Sequence, residues 1–89
     1  MNWELGDKNN INPISIYPNP TKDNFILNTG NNTIGNASVS VVNLLGKVIY
    51  QQVVLDKNTT INLAGFSAGI YIVQFKNNTG TITQKLIKE

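Results

Sequence analysis

At 89 residues and 9.8 kDa the chain has room for one hydrophobic core, and its 40% hydrophobic and 13% charged residues are the balance of a folding chain rather than a disordered tail. It has no cysteine and no histidine, which removes disulfides, thiolate metal sites, the commonest general base and every Ser–His or Cys–His pair. Seven lysines, no arginine and five acids give a net charge of +2, and the lysines are scattered, so the arginine forks and basic cluster of a nucleic-acid binder are missing.

Ile, Val and Thr supply 26 residues and Asn supplies 15, the usage of pleated strands joined by turns. Residues 1–11 are polar and read as a linker, with Trp3 as a candidate anchor. A first strand is predicted at 13–17. It stops at Tyr17-Pro18-Asn19-Pro20-Thr21, because neither proline can donate to a ladder. A second strand is predicted at 24–29, followed by an Asn- and Gly-rich loop over 30–36 and a third strand at 37–43. Leu44-Leu45-Gly46-Lys47 forms a tight turn in which Gly46 takes positive φ. The fourth strand follows at 47–55, a turn at 56–58 and a short fifth strand at 59–63. After a loop at 64–68, the sixth strand covers 69–76, with Tyr71, Val73 and Phe75 on one face and Ile70 and Ile72 on the other. Asn77-Asn78-Thr79-Gly80 turns the chain into a seventh strand at 81–88.

Seven short strands, each with an apolar face, predict an all-β antiparallel sandwich of two sheets about 10 Å apart. The expected inward set is Ile14, Ile16, Phe25, Leu27, Val39, Val41, Val48, Tyr50, Ile61, Leu63, Tyr71, Val73, Phe75, Ile82 and Leu86.

No apolar run reaches the roughly 20 residues of a membrane span, and no signal peptide opens the sequence. Any inner-membrane export signal is expected on a part of the protein outside this sequence. Asp7-Lys8-Asn9 and Asp56-Lys57-Asn58 faintly resemble the start of a calcium loop, but the remaining oxygen ligands are missing. No cofactor or metal is expected. Asn-x-Ser/Thr patterns at Asn31, Asn36, Asn58 and Asn77 follow from a composition rich in Asn and Thr.

The order of motifs carries a resemblance. Ile14-Ser15-Ile16-Tyr17-Pro18-Asn19-Pro20 opens the domain, Asn43-Leu44-Leu45-Gly46-Lys47 sits in the middle, and Gly69-Ile70-Tyr71-Ile72-Val73 precedes a closing Lys85-Leu86-Ile87-Lys88. Together these resemble the type A C-terminal sorting domain of the type IX secretion system of Bacteroidota. Membership implies an immunoglobulin-like domain at the C-terminus of a larger cargo protein, without enzymatic activity of its own. It implies transit through the periplasm to the cell surface or medium, with an outer-membrane translocon, a shuttle protein and a sortase-like peptidase as partners. That peptidase usually removes the domain and can join cargo to an anionic lipopolysaccharide. Residues 1–11 are then a linker remnant from the upstream cargo and 12–89 the sorting domain.

The family's signal residues map onto Gly69, Tyr71, Lys85, Leu86, Ile87 and Lys88. Family members often carry proline two residues before the glycine, where this chain has Ser67. Read for structure alone, Gly69 frees a strand start, Tyr71 resembles a sandwich-corner tyrosine bonded to a backbone group, and the lysines guard an edge. The alternatives are a carbohydrate-binding module, with Trp3, Phe66 and Tyr50 as its exposed aromatics, and a spacer domain of an adhesin.

Overall fold

The computed structural model describes residues 11–89, so Trp3, Asp7-Lys8-Asn9 and nearly all of the expected linker lie outside the described residues. Seven strands follow in order: β1 (Ser15–Tyr17), β2 (Asn24–Asn28), β3 (Ala37–Asn43), β4 (Val48–Val54), β5 (Asn58–Asn62), β6 (Gly69–Lys76) and β7 (Thr81–Lys88). They form a three-stranded sheet, β1-β2-β5, and a four-stranded sheet, β4-β3-β6-β7, with every pair of neighbours antiparallel. The chain crosses between the sheets after β2, β4 and β5. This is the all-β sandwich that the alternation predicts, in the immunoglobulin-like form that the resemblance implies.

Alternation decides what lies between the sheets. Ile16, Phe25, Leu27 and Ile61 point inward from the first sheet, and Ala37, Val39, Val41, Val54, Tyr71, Val73, Phe75 and Leu86 from the second. Phe25 stands opposite Ile61, and Val39 and Val41 stand opposite Phe75 and Val73. Burying each such side chain contributes roughly 1.5–3 kcal/mol, offset largely by the entropy of ordering the chain.

One predicted core residue is displaced. Val48 is 49% exposed, although its alternation with Tyr50 predicts it inside. The cause is a bulge: Val41 pairs with Tyr50, yet Val42 pairs with Val48, leaving Ile49 as an extra residue on β4. A bulge shifts the side-chain phase by one. Val48 therefore shares the outer face with Val42, and Ile49 packs partly against the core. Tyr50 and Ile82 are half-buried against the core, while Ala37 and Val54 join it without having been predicted. At the tip of the β3–β4 hairpin, Asn43 Oδ1 accepts from Leu45 N at 2.9 Å and Lys47 N at 3.0 Å. Gly46 completes that turn with a φ of 86°.

Candidate functional site

The six residues of the predicted signal all lie at one end of the β6–β7 hairpin, where the register sets Gly69 against Lys88, Ile70 against Ile87, Tyr71 against Leu86 and Ile72 against Lys85. The pleat sends them to opposite faces. Tyr71, Leu86 and Lys88 are buried, whereas Lys85 and Ile87 face outward.

Tyr71 sits at the start of β6, and its hydroxyl donates to the carbonyl of Ser67 at 2.6 Å. This is the corner tyrosine of an immunoglobulin-like sandwich, tying the β5–β6 loop to the core. The acceptor is a backbone carbonyl, which proline at position 67 would also supply, so Ser67 keeps this bond intact. Replacing Tyr71 with phenylalanine is expected to cost about 0.5–1.5 kcal/mol, the net worth of one hydrogen bond, measured as a lowered urea midpoint with an unchanged m-value. Gly69 is exposed, with a φ of 152° and nothing within 4 Å of where a Cβ would stand. Backbone conformation, rather than space, is what selects glycine there.

Lys88 departs from the picture of an edge-guarding lysine. Its side chain is 7% exposed and its Nζ lies 3.9 Å from Asp23 Oδ1 on the β1–β2 connection. The alternation that buries Leu86 also turns Lys88 inward at the rim of the sandwich.

β7 is an edge strand of its sheet, yet the end that carries the predicted signal residues is covered. Thr21 N donates to Ile87 O at 2.8 Å and Glu89 N donates to Thr21 O at 2.7 Å, forming a parallel bridge between Thr21 and Lys88. Asn19 Nδ2 donates to Lys85 O at 2.9 Å, and Ile87 N donates to Asn19 Oδ1 at 2.9 Å. The Tyr17-Pro18-Asn19-Pro20-Thr21 segment ends β1, as its prolines predict, and then closes onto the last strand of the opposite sheet. Sequence periodicity gives no sign of this, since the contacts join residues 66 and 68 apart.

The outer face of the four-stranded sheet is apolar near this end. Val48, Val42, Ile72 and Lys85 form a row across all four strands, with Ile70 and Ile87 in the row beside it. Ile70 is 39% exposed and Ile87 36%. A solvated sheet face normally alternates to polar side chains, so these aliphatics form a continuous stripe. The turn residues Leu44 and Leu45 are still more exposed.

The other candidate features do not converge. Tyr50 packs against the core and its hydroxyl donates to Gln52 Oε1, while Phe66 lies in the β5–β6 loop. Of the aromatics expected to be exposed, Tyr50 is therefore turned toward the core and Phe66 is 37% exposed, while Tyr17, outside that set, is 45% exposed. Asp56 lines an open cavity of about 250 Å³ between the ends of β4 and β5, together with Gln52, Asn58 and Thr60. Among the described residues no three acidic, histidine or cysteine side chains gather as a metal site, and no helix is long and apolar enough to cross a membrane.

Comparison with known proteins gives a family. The secretion system C-terminal sorting domain model matches residues 15–89. The chain is 35% identical over 83 residues to the ulvan lyase NLR42 of Nonlabens ulvanivorans, covering 91% of this chain and 15% of that protein. It is 32% identical over 73 residues to beta-agarase A of Zobellia galactanivorans, covering 82% of this chain and 13% of that protein. The chain spans only a small part of the length of either relative.

Proposed function

The chain belongs to the secretion system C-terminal sorting domain family, and from that premise we propose that it is the address that takes a cargo protein through the type IX translocon to the cell surface or medium. The observation that carries the detail is the division of the β6–β7 hairpin into two faces. Tyr71, Leu86 and Lys88 hold the terminal strand in place from inside; Gly69 opens the neighbouring β6 opposite Lys88; Lys85 and Ile87, with Ile70 and Ile72 beside them, offer the outward surface that the machinery reads. On this reading the chain passes through the periplasm in the company of a shuttle protein, reaches the outer-membrane translocon and is removed by a sortase-like peptidase. Residues 1–11 hold or adjoin the cut, and 12–89 form the recognised domain. The names of the two relatives, an ulvan lyase and a beta-agarase, support a polysaccharide-degrading enzyme as the cargo upstream.

The test is a periplasmic reporter carrying residues 1–89 at its C-terminus, expressed in a host with this export route. The reporter is expected outside the cell, without the domain, as mass spectrometry of the mature product reads. A reporter held in the periplasm whether or not the domain is attached contradicts the proposal. A mature product that keeps the domain contradicts the cleavage step alone.

Cutting off residues 86–89, the simplest test from sequence, does not isolate recognition. Leu86 is fully buried, and the segment supplies Lys88 to the rim and three of the hydrogen bonds to the β1–β2 connection, two of them backbone to backbone. Its removal damages the fold as well as the outward surface.

A further inference from the structure

We infer that Asn19 is a positioning residue for the terminal strand, its side-chain amide standing in for a backbone rung that holds Lys85 and Ile87 on the outward face.

In a parallel ladder, a residue donates its N–H to the carbonyl preceding its partner and accepts from the N–H that follows it. Thr21 does this with its own backbone, bonding Ile87 O and Glu89 N on either side of Lys88. Asn19 makes the same pair of bonds with its side chain, to Lys85 O and Ile87 N on either side of Leu86. Positions 19 and 21 thus face 86 and 88, the spacing of two successive parallel rungs. Only the second of these rungs is peptide.

The substitution has a chemical reason. Pro18 and Pro20 have no N–H to give, so across these three positions only Asn19 has donors, and its side chain carries a donor and an acceptor on one group. A primary amide carries both; a carboxylate has only acceptors at neutral pH, and no aliphatic side chain has either. The rung is also anchored. Thr21 is 1% exposed and its hydroxyl donates to Asn24 O at 2.5 Å, which fixes the connection to the head of β2. The two outward residues of the signal, Lys85 and Ile87, are those whose backbone groups Asn19 holds. A mobile strand end would present the same side chains in many orientations, and recognition would bear the cost of ordering them.

This inference rests on the reading of the terminal strand as the recognised element. The test combines amide hydrogen exchange on the chain with export of the reporter fusion, for the wild type, Asn19→Ala and Asn19→Asp. In Asn19→Ala the Ile87 amide is expected to exchange about tenfold faster, with Val73 and Phe75 amides unchanged, because the opening is local. Export is expected to fall about tenfold, as ordering of the read surface is lost. Asn19→Asp keeps an acceptor for Ile87 N, so it restores protection there and part of the export. Unchanged exchange at Ile87 in Asn19→Ala overturns the inference, as does full export from a variant whose Ile87 amide has lost its protection. The outward variant Lys85→Thr/Ile87→Thr separates the two levels: if it too is exported normally, the reading of the strand fails; if it is retained while Asn19→Ala is exported, only the positioning role fails.

Discussion

Replacing Phe75 with alanine is expected to lower the free energy of unfolding by about 3–5 kcal/mol, the cost of truncating a large aromatic side chain in a core that cannot fully collapse. Phe75 is fully buried on the central strand pair of the larger sheet, opposite Val39 on β3 and Ile82 on β7. Single domains have net stabilities of about 5–15 kcal/mol, and one of this size belongs at the lower end. The substitution therefore removes most of the margin. With an m-value of about 1–1.5 kcal/mol/M, the urea midpoint falls by roughly 2–5 M. A loss below about 1 kcal/mol would mean that Phe75 is not enclosed between two sheets.

The second large effect is on export and leaves stability nearly untouched. Lys85→Thr combined with Ile87→Thr changes two outward side chains on β7 and puts a β-branched residue, suited to a strand, at each position. Ile87 is 36% exposed, so its replacement removes little buried area. Neither side chain takes part in the bonds to Asn19 and Thr21, which use the backbone of β7. The thermal midpoint is expected to stay within a few degrees of the wild type, since the loss is under about 1 kcal/mol. Export of the reporter is expected to fall at least about tenfold, the equivalent of 1.4 kcal/mol of binding to the machinery. Gly69, Tyr71, Leu86 and Lys88 make poorer probes, because each shapes the hairpin and a change there mixes folding with recognition.

Where local rules act alone, the sequence is readable to the residue. β3, β6 and β7 begin and end where alternation and turn residues put them, and the corner role of Tyr71 follows from its place at a strand start. Local rules fail where a second strand intervenes. The bulge at Ile49 is a property of the β3–β4 pair, so Val48 reads as core on its own strand and lies outside in the sheet. That displacement adds Val48 to the outer stripe beside Val42, a feature invisible to the pattern of β4 alone. Lys88 reads as an edge guard because lysine is usually solvated, and the pleat overrides that preference. The closure at Asn19 left the weakest trace. Two prolines around a single asparagine announce the end of a strand, but nothing local says that the amide will find a carbonyl and an N–H near the other end of the chain.

The most direct measurement is the amount of reporter outside the cell for the wild-type fusion and the Lys85→Thr/Ile87→Thr fusion, grown side by side with the translocon intact. The account predicts that the wild-type fusion is exported and that the variant accumulates in the periplasm as a folded, protease-resistant domain. Equal export of the two fusions, or retention of both, would contradict it.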